Sequence, residues 1–89
     1  MKITYDPNKN ASNIQKHGLS FDDVPRLEWN DAYIWIDDRF DYSEVRISAL
    51  VPLGQNLFFV AYADRPNGRR IITFRRANDR EKKRYAQSH

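Results

Sequence analysis

Cysteine is absent from the chain, which rules out a disulfide framework and every thiolate metal site. A reducing compartment is compatible with that absence. Glycine is scarce, at three residues, and Gly18, Gly54 and Gly68 are too scattered to build a phosphate-cradling loop or a nucleophile elbow. Long apolar runs are missing too. The longest, Leu57 to Ala63, is too short to cross a bilayer, and Met1-Lys2 leads into Ile3-Thr4-Tyr5-Asp6 without the apolar stretch of a signal peptide. The expectation is a cytoplasmic protein with no membrane association. The adjacent pairs Asp22-Asp23 and Asp37-Asp38 point their carboxylates apart, unlike a metal cage, so no metal or other cofactor is expected.

What is present suffices for one small domain, residues 1–89, with 40% hydrophobic and 13% aromatic residues to build a single core. The net charge of +3 hides a strong polarisation. Residues 22–44 carry Arg26 and Arg39 against eight carboxylates, a balance of −6, whereas residues 68–89 stand at +6. Either the two blocks neutralise each other within the fold or each faces its own partner.

Ile3 and Tyr5 alternate with polar residues in a short strand. Asp6 is suited to cap a helix that starts at Pro7, and that helix should run to His17 and end at Gly18 in a left-handed turn. A second helix follows through Phe21, Val24 and Leu27. Either its cap is Asp22 or the helix kinks, because with a cap at Ser20 a straight helix would miss a needed amide at Pro25. From Ala32 the pattern becomes period two, with Ala32, Ile34 and Ile36 against Tyr33, Trp35 and Asp37, a turn over residues 38–41, then Val45, Ile47, Ala49 and Val51 against Glu44, Arg46, Ser48 and Leu50. Residues 57–63 are apolar on both faces, as in a central strand. Arg65-Pro66-Asn67-Gly68 is a turn whose Asn-Gly favours positive φ. The chain thus reads as α+β in the order β-α-α-β-β-β-β-α, an antiparallel sheet with two N-terminal helices packed on it and a basic C-terminal helix.

The last strand and helix, Gly68 to Tyr85, hold eight of the Arg and Lys residues against Asp79 and Glu81. In strict alternation Ile72, Phe74 and Arg76 share one face and Ile71, Thr73 and Arg75 the other, which points the two arginines to opposite sides. Asn78 and Glu81 have the spacing of a capping box. The helix from Asp79 to Gln87 offers only Tyr85 and Ala86 as apolar residues, so it is expected to dock loosely without a partner. His89 is expected to fray.

Tyr5-Asp6-Pro7-x-Lys9, Asn13-Ile14-x-Lys16-His17-Gly18-Leu19-Ser20-Phe21, Asp31-Ala32, and Arg70-Ile71-Ile72-x-x-Arg75-Arg76-Ala77 with Glu81 and Tyr85 resemble, in this order, the BrnT family. These pieces span nearly the whole chain. Pro25 and Phe74 depart from the family's usual pattern. The resemblance implies a small RelE-like domain and a toxin of a type II toxin–antitoxin system, a metal-independent endoribonuclease that cleaves RNA and inhibits translation. It implies as partners an RNA substrate and a BrnA-like ribbon-helix-helix antitoxin, in a heterotetramer of two toxins and two antitoxins that meets DNA only through the antitoxin.

Such a nuclease needs a base for the 2′-hydroxyl proton, cations to hold the phosphate, and an acid for the departing 5′ oxygen. Arg75 and Arg76 are candidate phosphate clamps, since guanidinium matches phosphate bidentately; either could instead pair with the acidic block. His17 is a candidate acid–base catalyst by residue type, since imidazole in general suits proton transfer near neutral pH, but it also suits a helix C-terminus. Glu81 is a candidate base or simply a cap residue, and Tyr85 a stacking or proton-donating residue or simply the helix's docking residue. Lys16, Arg70, Arg80, Lys83 and Arg84 are candidate RNA contacts. The alternative is a non-catalytic module that binds nucleic acid or the antitoxin, a degenerate toxin acting in autorepression.

Overall fold

The structure, a computed structural model, describes residues 1–39 and 41–88. Phe40 of the expected turn and the terminal His89 lie outside the described residues. The chain forms α+β architecture: strand β1 (Ile3–Thr4), helix α1 (Pro7–His17), 3-10 turns at Phe21–Arg26 and Trp29–Asp31, strands β2 (Tyr33–Ile36), β3 (Ile47–Leu53), β4 (Asn56–Arg65) and β5 (Gly68–Arg76), and helix α2 (Asp79–Gln87). No helix among the described residues is long and apolar enough to cross a membrane.

The sheet runs β1-β5-β4-β3-β2. It is mixed rather than antiparallel, because β1 lies parallel to β5 with Ile3 opposite Arg69 and Thr4 opposite Arg70. The antiparallel β4–β5 pairing leaves the outer edge of β5 open, and two residues at the start of the chain cover only its first part. Farther along that edge, the Asn13 amide of α1 takes the place of a neighbouring strand. Its Nδ2 donates to the Phe74 carbonyl at 2.7 Å, and its Oδ1 accepts from the Phe74 amide at 3.2 Å. A buried polar side chain is stable only when so paired, and a third bond from Nδ2 to the Leu19 carbonyl, at 3.0 Å, ties the exit of α1 to the same point.

Helix α1 is bounded as its residue chemistry requires. Asp6 accepts from the Asn8 amide, Pro7 opens the helix, and Gly18 closes it at φ 69° with its amide on Ile14. The next element differs from expectation. Ser20, not Asp22, is the cap, its side chain accepting from the Asp22 amide, and Phe21–Arg26 is a 3-10 turn. Pro25 has no amide to give a continuing α-helix, so the segment stays short. Phe21, Val24 and Leu27 nonetheless reach the core, meeting Ala49 and Val51 of β3, Phe58, Val60 and Tyr62 of β4, and Ile71 and Phe74 of β5. Each of the buried Val, Leu, Ile and Phe side chains contributes about 1.5–3 kcal/mol of transfer free energy.

Strand β4 is the central one, as its two-sided apolarity implied. Strict alternation along β5 fails, however. A register shift at Ala61/Tyr62 puts Thr73 opposite Ala61 but Ile71 opposite Tyr62. The extra residue lets Ile71 and Phe74 both enter the core, as a bulge reverses side-chain parity. In the β4–β5 turn, positive φ falls on Gly68, at 135°, and not on Asn67. Val45 stays outside β3 and is exposed.

Candidate active site

Beyond the bulge, the alternation of β5 separates its last two residues. Arg75 lies opposite Phe59 and Arg76 opposite Phe58 on β4. Continuing across the sheet, Phe59 lies opposite Leu50, and Leu50 opposite Tyr33. Arg75, Phe59, Tyr33 and Trp35 therefore share the face turned away from the Phe21 core. On it Tyr33 and Trp35 have ring centroids 5.6 Å apart, and Trp35 and Phe59 6.3 Å.

Helix α2 borders this face because its first turn is locked to the end of β5. Asn78 accepts from the Glu81 amide at 2.8 Å, and Glu81 accepts from the Asn78 amide at 2.9 Å, a complete capping box. The same carboxylate takes both guanidinium nitrogens of Arg75, at 2.8 and 3.0 Å. Arg75 meanwhile lies 4.2 Å from the centroid of Phe59, and Arg84, one turn farther, 4.0 Å from that of Trp35. Glu81 thus takes two bonds from the strand through Arg75 and shares two more with the cap residue Asn78. Burial pushes its pKa up, but the bonds from Arg75 and the Asn78 amide outweigh that and leave it below the ordinary carboxylate value.

Between α2 and the aromatic row lies a groove of about 420 Å³ that brings together Arg75, Glu81, Arg80 and Arg84 with Trp35, Phe59, Ser48 and Arg39. Four guanidinium groups face one carboxylate there. Arg39 is itself bonded to Asp37 at 2.9 and 3.0 Å, and these bonds lower the Asp37 carboxyl to about 2 against the penalty of burial.

The remaining candidates lie elsewhere. Arg76 sits near the Phe58 ring, at 5.8 Å, in a separate groove of about 450 Å³ with Leu57, Lys82 and Tyr85. The Tyr85 hydroxyl donates to the Asp31 carbonyl at 2.7 Å, and burial, followed by the charges of Asp31 and Glu28, pushes its pKa above the usual phenol value. Lys16 and His17 border a third hollow beside Ile72 and Thr73. Arg70 is half-buried and ion-paired with Glu44, which also holds Arg65. Lys83 is exposed on α2.

Helix α2 has no buried residue. Its attachments among the described residues include the Arg75–Glu81 bonds, the contacts of Arg84 with the Trp35 and Tyr33 rings, and the Tyr85–Asp31 bond, polar and cation–π contacts in place of a core. Trp35 and Phe59 are the site residues that sequence reasoning missed. Their alternation was visible, with Trp35 on the same side as Tyr33, but the register that brings them beside Arg75 was not.

Compared with known families, residues 5–81 match the model described as the ribonuclease toxin, BrnT, of type II toxin–antitoxin systems. No curated protein matches the chain.

Proposed function

Since the chain belongs to this family of ribonuclease toxins, we propose that it is a metal-independent endoribonuclease of RelE-like architecture whose catalytic groove is the one between α2 and the Tyr33–Trp35–Phe59 row. The observation that carries this reading is the Arg75–Glu81 pair set beside that row and flanked by Arg80 and Arg84. Unpaired bases stack on aromatic rings and on guanidinium planes, and arginine grips the phosphates between them.

An entering phosphate competes with Glu81 for the fork of Arg75. When Arg75 turns to the phosphate, Glu81 loses the two Arg75 bonds, the larger of the bonded causes that depress its pKa, and becomes a better base at the moment it is needed, while its Asn78 amide bond stays in place. The carboxylate takes the 2′-hydroxyl proton, the 2′ oxygen forms its bond to phosphorus, and the bond from phosphorus to the 5′ oxygen breaks. The leaving oxygen takes a proton from water, which reaches this open groove. Products are a 2′,3′-cyclic phosphate and a free 5′-hydroxyl. Arg80 and Arg84 hold the neighbouring phosphates, and charge building on the phosphorane is met by guanidinium rather than by a metal ion. The setting is the cytoplasm, where RNA cleavage inhibits translation until a ribbon-helix-helix antitoxin, two per two toxins, covers the toxin.

The closed state of Arg75–Glu81 favours a second reading, a degenerate toxin that binds without cutting. Incubating the purified protein with a single-stranded RNA and resolving the products separates the two. Cyclic-phosphate ends that vanish with Arg75→Ala support the nuclease, and retention of RNA without any cleavage supports the binding module.

A further inference from the structure

The two edges of the sheet are treated unequally. That of β5 is covered by β1 and, beyond it, by the Asn13 side chain. The other edge is β2, Tyr33-Ile34-Trp35-Ile36, which pairs with β3 alone. Edge strands are usually protected by a charge, a proline or a bulge. This one has none of them within its four residues, and its register with β3 is unbroken.

The direction of its free groups follows from the ladder. The Asp37 amide bonds to the Arg46 carbonyl at 2.9 Å, one step beyond the Ile36–Ile47 pair. Bonded and non-bonded pairs alternate in an antiparallel ladder. Trp35 and Tyr33 therefore bond to β3, and Ile34 and Ile36 turn both N–H and C=O outward. The same two side chains are exposed, 49% and 65%, as is Val45 at 63%. Beside them Asp38 and Asp41 line a hollow shared with Ile36 and Val45, within the block of residues 22–44 whose balance is −6.

The geometry points to β2 as the docking edge for a basic, extended segment of the antitoxin, which adds a sixth strand and sets Lys or Arg side chains against Asp38 and Asp41. This rests on the pairing with an antitoxin that membership of the family implies. Backbone bonds along an open edge supply affinity, and alternate side chains supply choice of partner. A second copy of the chain is a poorer occupant, since pairing β2 with itself would bring two −6 blocks together. The strand's alternate residues Tyr33 and Trp35 belong to the proposed groove, but its free groups lie on Ile34 and Ile36, and Arg75 is three strands away across the sheet, so docking here leaves Arg75 and Glu81 to be covered by another part of the partner.

Amide exchange followed by NMR on the full-length toxin, free and saturated with its cognate antitoxin, tests this. The Ile34 and Ile36 amides should exchange at least about tenfold more slowly in the complex. Ile36→Lys, at an exposed position, should weaken antitoxin binding by about tenfold or more while RNA cleavage by the free toxin is unchanged; a thermal melt confirms the fold. Binding with unchanged exchange at both amides overturns the docking edge alone. Protection of these amides in the free toxin as it dimerises makes the second copy the occupant and also overturns it. Failure of the antitoxin to bind at all removes the pairing itself, and this proposal with it.

Discussion

Arg75 and Arg76 are consecutive, carry the same charge and end the same strand, yet they face different surroundings. Arg75 is held at both oxygens of Glu81, stacked on Phe59 and surrounded by further guanidinium groups. Arg76 is exposed, on the opposite side, with no ion pair among the described residues. On the proposed mechanism charge alone does not make a site: an arginine is suited to act on a phosphate when its neighbours aim it and hold a candidate base beside it. The free arginine is the less suitable of the two, although it is the more available.

The largest expected effect separates the two directly. Arg75→Ala should lower cleavage of a single-stranded RNA by about 10²–10³-fold, the size seen when one transition-state donor is removed; Arg76→Ala should stay within about threefold. Equal losses would erase the distinction. Glu81→Gln preserves an oxygen for the cap and removes the base, so kcat should fall by about 100-fold while the protein stays folded, its melting temperature at neutral pH lowered only by the loss of the Arg75 ion pair. A loss of fold in place of a loss of rate would make Glu81 a structural residue only. Asn13→Ala lies outside both grooves and leaves the backbone of Phe74 unpaired. It should cost about 2–3 kcal/mol in chemical denaturation, with cleavage by the folded fraction unaltered.

Acid offers a finer test of the Arg75 side. The folded pKa of Glu81 is depressed below its ordinary 4.5, so its contribution to stability is complete above that value and is lost as pH falls through the folded one. The charged groups beside it in the groove include Arg75, Arg80 and Arg84. Thermal stability should therefore drop below pH 4.5 more steeply in the wild type than in Glu81→Gln, with the Asp37 contribution common to both. The smallest effect concerns Arg84. Its replacement by Ala should weaken RNA binding modestly and reduce the slope of log affinity against log salt by about 0.7, one phosphate's worth of released counterions.

Much of this arrangement is written locally. Asp6, Pro7 and Gly18 mark the ends of α1, Asn78 and Glu81 form their capping box, and the unbroken apolar run 57–63 marks the central strand. Each of these signals acts within a few residues. The opposed arginines follow from period two, which holds for the final residues of β5. What was hidden depends on residues far apart. Nothing near Ile3 says that it will lie parallel to Arg69, and the bulge that carries both Ile71 and Phe74 inward is a response to packing under the sheet. Asn13 reads as one more polar residue on a surface helix until Phe74, 61 positions later, is beside it. Likewise the site's aromatic floor needs the pairing of β2, β3 and β4 in register before Trp35 and Phe59 stand next to Arg75.

A non-cleavable 2′-O-methyl single-stranded RNA, titrated into the protein while NMR follows the arginine side chains and tryptophan indoles, tests the central claim most directly. The Arg75 guanidinium and the Trp35 indole should shift together with saturating RNA. Arg76 should remain unmoved, as should the Trp29 indole, whose N–H is already bonded to the Val24 carbonyl. Shifts centred on Arg76, with Arg75 still locked to Glu81 and Trp35 silent, would contradict the account.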